Sequence, residues 1–450
     1  MLQILFISGS ASAITRNIGT LALLLLLLPF NLAMVLLSLV QNLFANKSDS
    51  QITSASPEKK RILITGAKMT KSLQLARSFY RDGHEVYLVE THKYWLSGHR
   101  FSRAVKGFFT VATPEKDPEQ YCQDILNIVR EKNIDLFIPV SSPIASYYDS
   151  LAKKAIEPYC ESLHLDPEVT AILDDKHAFC SKARELGLSA PKVFRITDPQ
   201  QILDFDFSNE SNKYIVKSIP YDSVLRLDLT KLPFEGMEEY VRSLPISEEK
   251  PWVMQEFIRG KEYCFHATVR KGKIKLHCCS ESSPFQVNYE QADNPAIYQW
   301  VETFVSKMNL TGQVCFDMIQ TEDGTVYPIE CNPRLHSAIT MFHDHPGVAQ
   351  AYLSDDESTP ITPLPNSKPT YWTYHELWRL LSIRSFGELK AWLNKITKGT
   401  DAILTPDDPL PFLMLHNWQI PLLLLDNLRR LKGWVKIDFN IGKLVEIGGD

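Results

Sequence analysis

Apolar residues recur along the chain in three rhythms, and each predicts a different element. Residues 18–40 form one almost unbroken apolar run dominated by leucine, with Arg16 before it, Lys47 after it and no charge between. That run is long enough for a helix across a bilayer, and Pro29 and Asn31 inside it allow a kinked or re-entrant path. From Arg61 onward the pattern changes to short bursts, Arg61-Ile-Leu-Ile-Thr-Gly66, His84-Glu-Val-Tyr-Leu-Val-Glu90 and Ile134-Asp-Leu-Phe-Ile-Pro-Val140. A helical pattern follows the first burst through Tyr80, which predicts a βαβ unit. The third rhythm is a pair of β-forming runs on either side of Asp323-Gly324, which predicts an antiparallel hairpin closed by a two-residue type I′ turn.

With that turn, Glu322 faces Thr325, Met318 faces Ile329 and Asp317 faces Glu330. Two carboxylates then lie opposite one another on one face, roughly 5 Å apart. Asn332 shares this face, while Phe316, Met318, Ile329 and Cys331 line the other. An acidic pair on a hairpin is ordinarily a solvated face. Here, however, the strands are otherwise apolar (Val314, Phe316, Ile319, Val326, Ile329), and unpaired charge in a buried hairpin is expensive. Carboxylates held so close repel unless a cation lies between them. Two carboxylates and an amide oxygen are hard donors suited to Mg²⁺, which completes its shell with water and phosphate; Mn²⁺ accepts the same donors. Asp317, Glu330 and Asn332 are therefore the candidate metal ligands of a magnesium-nucleotide site. Arg334 follows at once, a planar cation suited to phosphate or carboxylate.

Asp317 followed by Glu330-Cys-Asn332-Pro-Arg334 resembles the metal-binding end of the ATP-grasp ligases, and other parts occur upstream in the expected order. Leu173-Asp-Asp-Lys176-His-Ala-Phe179 resembles the opening helix of the grasp domain, and Tyr214-Ile-Val-Lys217 its second phosphate-binding strand. The resemblance implies that Lys176 and Lys217 reach the phosphates of ATP. Trp252-Val-Met-Gln-Glu256-Phe257-Ile258-Arg-Gly-Lys-Glu262 resembles the hinge, where the backbone of Glu256 and Ile258 would read adenine and Glu262 would take the ribose. The implied fold is α/β: a Rossmann-like pre-grasp domain over residues 61–165, then a two-subdomain grasp domain over 166–345 with its hinge near 255–262. One departure stands out. The family's glycine-rich loop after the second lysine is missing, with no glycine between Lys217 and Gly236. Ser218, Tyr221, Ser223 and Arg226 are the alternative donors.

His336-Ser337 trails the metal hairpin, where the family's acceptor pocket lies, so His336 joins Arg334 as a candidate catalytic residue; a hydrogen-bonded structural histidine is the alternative. Ser141-Ser-Pro ends the third burst, where ligands collect in open α/β sheets, and a simple strand-helix turn is the alternative there. His343, Asp344 and His345 fit a turn before Pro346. Net charge of −5 argues against nucleic acid as a partner. The eight cysteines show no CxxC pair and no zinc spacing, which suits reduced thiols in a cytoplasmic enzyme.

Both ends of the chain extend the picture. Residues 1–45 are expected to be a retained membrane anchor, with a cleaved signal peptide or an interfacial helix as the rivals, and 46–60 a flexible tether. An ATP-dependent catalytic part is expected on the cytoplasmic side, and Lys59-Lys60-Arg61 agrees with that placement. The extension 346–450 ends in Asn427-Leu-Arg-Arg-Leu-Lys-Gly-Trp434, suited either to a bilayer surface near the anchor or to packing on the core. With Leu415-His-Asn-Trp-Gln-Ile-Pro and the leucine-rich start, this tail looks like one branch, the cyanobacterial ATP-grasp ligases of mycosporine-like amino acid biosynthesis. Membership would imply that small molecules are the partners: ATP with 4-deoxygadusol and glycine, yielding mycosporine-glycine, ADP and phosphate. The rivals are a carboxylate-amine ligase working through an acyl phosphate on another acid, and a non-catalytic membrane-tethered nucleotide-binding module.

Overall fold

The apolar bursts become neighbouring strands. In the computed structural model, which describes residues 10–44, 58–140, 145–220, 225, 228–282 and 288–446, they belong to a parallel five-stranded sheet. Its strands are β1 (Arg61–Ile64), β2 (Glu85–Thr91), β3 (Val105–Val111), β4 (Leu136–Ile138) and β5 (Glu161–Ser162), in the order β3-β2-β1-β4-β5. The central strand β1 buries Ile62, Leu63 and Ile64 completely, as expected of a parallel strand covered on both faces. Asp117 caps the helix that leads into β4 by accepting from Gln120 N, and Asn133 ends it in the left-handed conformation.

The second part holds two antiparallel sheets. β6 (Val193–Ile196), β7 (Tyr214–Ser218) and β8 (Trp252–Glu256) form a small sheet, β6-β8-β7, over its own core of Ile196, Tyr214, Val216, Trp252 and Met254. β9 (Lys261–Arg270), β10 (Lys273–Glu281), β12 (Gly312–Gln320) and β13 (Val326–Asn332) form the other, in the order β10-β9-β12-β13; β11 (Asn288–Tyr289) pairs separately with Thr370–Tyr371. One face of this sheet buries Phe265, Val314, Phe316 and Met318 against Phe179, Trp300 and Phe304.

The single spanning helix expected over residues 18–40 is not formed. The run splits into α1 (Ser10–Leu26) and α2 (Leu28–Phe44), bent by 41° at Leu27. Pro29 has no N–H to offer the preceding turn, and its ring crowds the carbonyl four residues back. Among the described residues no single helix is long and apolar enough to cross a membrane; the bent pair meets that test only together.

Residues 346–446 wrap the parallel sheet and share its core: Trp372, Ile403, Phe412, Leu415, Ile420 and Leu424 pack in one cluster with Ile62, Leu73 and Phe79. Most of the tail thus packs on the core, while residues 429–432 stay exposed beside α1. Polar contacts pin it. Trp372 Nε1 donates to Thr70, Gln419 accepts from Gly98 N at 2.6 Å, and buried Arg77 donates through Nε to Asp408 at 2.9 Å. Gly98 permits that approach, since a Cβ there would lie 2.6 Å from Leu415 N.

Candidate active site

The hairpin β12–β13 pairs Asp317 with Glu330, as the alternation requires, by a different route. The loop has three residues rather than two. Gly324 N donates to Thr321 O, Gly324 adopts φ +86°, and Thr321 N donates to Thr325 O. This is a type I turn completed by a left-handed glycine, so Glu322 does not face Thr325. Met318 accordingly pairs with Pro328 rather than Ile329. A β-bulge between Asp317 and Met318 then restores the lost residue and brings the two carboxylates opposite one another. The carbonyl of Ile329, the extra residue, accepts from buried Gln255 Nε2 at 3.1 Å, which ties the small sheet to the hairpin at the bulge.

The carboxylates share their surroundings with several cations. Lys176 Nζ lies 3.7 Å from Glu330 Oε2, and Asn332 Nδ2 approaches Asp317 Oδ2 at 3.5 Å. Burial pushes the Asp317 carboxyl up to about 7, Glu330 and Glu262 push it in the same direction, and Arg334 and Lys217 oppose them. Burial also raises Asp174, again against Arg334 and Lys176. Asp317 Oδ1 and Arg334 Nη1 are buried and have no hydrogen-bond partner among the described residues. An orphaned carboxylate oxygen beside a second carboxylate and an amide fits a hard divalent cation such as Mg²⁺.

Arg334 is held by its neighbours on the chain. Lys71 Nζ donates to Leu335 O at 2.7 Å and Ser146 Oγ to Pro333 O at 2.7 Å, while Arg334 N donates to Asn332 O. The parallel-sheet part thus grips the residues on both sides of Arg334 and aims it at the hairpin. Lys71 is buried, and burial together with Arg334 pulls its ammonium well below the usual lysine range. Sequence reasoning missed this lysine, because on the helix Thr70–Arg81 it looks like any surface cation.

Lys217 lies on β7 and Lys176 opens the helix Lys176–Glu185, whose first amides are capped by Asp175. At the hinge, Glu256 accepts from Lys192 N and Asn212 Nδ2, and Phe257 N donates to Lys213 O. No backbone acceptor is found for Ile258 N–H among the described residues, which leaves it available to a ligand. Glu262 is exposed and accepts from Ser282 Oγ at 2.9 Å. Gly260 fits because a Cβ there would meet Gln320 O at 2.2 Å.

His336 caps the following turn by accepting from Ala338 N, and burial lowers its pKa well below the histidine range. It packs on Cys264 Sγ, which lies 3.2 Å from Cys315 Sγ, so two thiols and an imidazole meet on the same face of the sheet as Asp317, which pairs directly with Cys264. Sequence spacing could not reveal that cluster, because it is made across strands. His343 and His345 make turn contacts, to Lys368 O and Gly347 N. Ser218 Oγ donates to Pro220 O. Tyr221, Ser223, Arg226 and the Ser141-Ser-Pro loop lie outside the described residues.

Residues 173–338 match the ATP-grasp domain family. A comparison with curated proteins finds no match. Among solved structures, N5-carboxyaminoimidazole synthetase from Staphylococcus aureus is 14% identical, with a TM-score of 0.50 over 69% of this chain and 80% of that one. The L-amino acid ligase from Bacillus licheniformis is 18% identical, with a TM-score of 0.47 over 65% of this chain and 70% of that one. The biotin carboxylase domain of the Hydrogenobacter thermophilus 2-oxoglutarate carboxylase, solved with MgADP and bicarbonate, is 11% identical, with a TM-score of 0.47 over 62% of this chain and 65% of that one. At 14% identity the likeness to the synthetase is one of fold alone.

Proposed function

We propose that this chain, which carries a match to the ATP-grasp domain, is a ligase that phosphorylates an acidic oxygen of its acceptor and replaces it with an amine. The observation that carries this reading is the pairing of Asp317 with Glu330, one oxygen orphaned, among Lys176, Lys217 and Arg334. Asp317, Glu330 and Asn332 would hold Mg²⁺, which neutralises phosphate charge when bound. Lys176 and Lys217 hold the phosphates, Ile258 N–H reads the adenine edge, and Glu262 takes the ribose. The acceptor oxygen attacks the γ-phosphorus, the bond to ADP breaks, and the oxygen becomes part of a leaving group. The amine then adds to the carbon, and phosphate departs with the acceptor's oxygen. Arg334, held from both sides, stabilises the charge that develops on the acceptor. The rigid grip on Pro333 and Leu335 supports that positioning role. His336, neutral and engaged as a cap, orients the loop rather than moving a proton.

The acceptor and amine proposed are 4-deoxygadusol and glycine, giving mycosporine-glycine, on the resemblance of the tail and the leucine-rich start. An acyl phosphate on another acid is the alternative. Purified protein with MgATP should release ADP only when the correct acid and amine are both present. A panel of acids and amines including this pair, with the absorbance spectrum followed, separates the two. ADP with 4-deoxygadusol and glycine is the expected result; turnover only with another pair sinks the substrate assignment, and ATP binding without turnover on any pair sinks the enzyme reading. Association with a membrane, with the catalytic part on its cytoplasmic side, is also proposed, on the uncharged run 17–46 and the basic cluster 59–61.

A further inference from the structure

Along α1 and α2 the buried positions are Asn17, Leu24, Asn31, Val35 and Ser38, and four of these recur every seven residues. A seven-residue recurrence marks one narrow stripe along a helix. The stripe is covered by the C-terminal extension. Asn17 Nδ2 donates to Lys432 O, Asn31 Nδ2 to Tyr374 Oη and Asn417 Oδ1, and Asn417 Nδ2 donates to Leu24 O. From residue 17 to 38 the pair therefore lies along the globular part for roughly 30 Å, close to the apolar thickness of a bilayer. A spanning helix leaves the globular part behind; this pair does not.

The rest of the pair is bare. Leu25 and Leu26 are 69% and 77% exposed, Leu36 and Leu37 60% and 59%, Leu43 and Phe44 81% and 83%. Consecutive residues on a helix point about 100° apart. A partner helix covers one such direction, whereas lipid chains cover all of them. Indoles mark the edge of the bare region: Trp418 follows Asn417, and Trp378 stands one helical turn beyond Tyr374 and is exposed. Arg16 stacks 3.9 Å over Trp434, and close by along the chain the exposed Arg429 and Arg430 pair with Asp426 and Lys432 pairs with Glu446. Basic side chains and indoles bordering an apolar face suit the headgroup layer of an anionic bilayer.

We propose that α1 and α2 lie in the plane of an anionic bilayer as a one-sided docking surface, with both ends and the catalytic part on the same side. The proposal deepens the membrane association above and does not depend on the ligase reading. The test uses the full chain with an N-terminal protease-cleavable tag, mixed with sealed vesicles of phosphatidylcholine and phosphatidylglycerol. The expected result is co-flotation with the vesicles and full cleavage of the tag from outside without detergent. Leu36→Asp with Leu43→Asp, both at exposed positions, should reduce flotation at least tenfold and leave nucleotide turnover unchanged. Co-flotation with a tag protected until detergent is added overturns the in-plane arrangement while keeping membrane association. Failure to float, with self-association in lipid-free buffer, overturns both and assigns the face to a second copy.

Discussion

Asp317→Asn and Glu330→Gln should each lower acceptor-dependent ADP formation by about 10²–10³-fold, the scale of losing one preorganised electrostatic partner of a transferring group, with the fold intact. Both replacements keep shape and remove one charge from a pair that faces directly across the hairpin. The Asp317 carboxyl is also the costly member of that pair. Its pKa in the folded, metal-free protein is pushed up to about 7, chiefly by burial and then by Glu330. A carboxyl whose folded value exceeds its unfolded one binds its proton more tightly in the native state. Metal-free protein is therefore most stable, as far as this group is concerned, below about pH 4, and loses that contribution as the pH rises towards 7. Thermal melts across that range should show the fall in wild type and a flatter profile in Asp317→Asn. Adding Mg²⁺ at pH 7 should raise the wild-type midpoint and leave the variant nearly unmoved. An unchanged turnover rate in either variant would remove the hairpin from the chemistry.

Asp408→Ala should cost about 3–5 kcal/mol, the range for stripping one partner from a buried ion pair. Asp408 accepts from Arg77 Nε at 2.9 Å, from Ser102 Oγ at 2.6 Å and from Arg103 N at 3.0 Å, and its own carbonyl accepts from Arg77 Nη2 at 2.7 Å. Both side chains are almost wholly buried. Removing the carboxylate leaves a guanidinium in the core with only Asp407 as a weaker counter-charge, at the point where the C-terminal wrap meets the parallel sheet. Arg77→Met with Asp408→Leu should recover much of the loss, because an apolar pair of similar volume needs no desolvation. Urea unfolding of the two variants measures both statements; a change below 1 kcal/mol for Asp408→Ala contradicts them.

How far the site was legible follows from which forces are local. Alternation placed Asp317 opposite Glu330 correctly because the apolar face must turn inward whatever the turn does. The turn itself was misread. Asp323-Gly324 favours the two-residue form, yet Asp323 Oδ1 accepts from Thr325 N and Gly324 takes the left-handed position of a three-residue loop. The bulge that compensates leaves no mark in residue types. The break in the apolar run at residues 18–40 has another origin. The run is visible, but Asn31 looks like a flaw in a spanning helix until the groups it bonds, 343 and 386 positions away, are known. Lys71, the Ser146 bond and the Cys264–Cys315–His336 cluster are likewise products of tertiary contact, so single-sequence spacing carries no trace of them.

In the proposed reaction the acceptor's oxygen leaves with the phosphate, and isotope transfer tests that most directly. The acceptor is labelled with ¹⁸O at its reacting oxygen and turned over with MgATP and amine, and the phosphate released is weighed by mass spectrometry. The expected result is one ¹⁸O in each phosphate, with ADP as the other product. Unlabelled phosphate, or AMP in place of ADP, would contradict it.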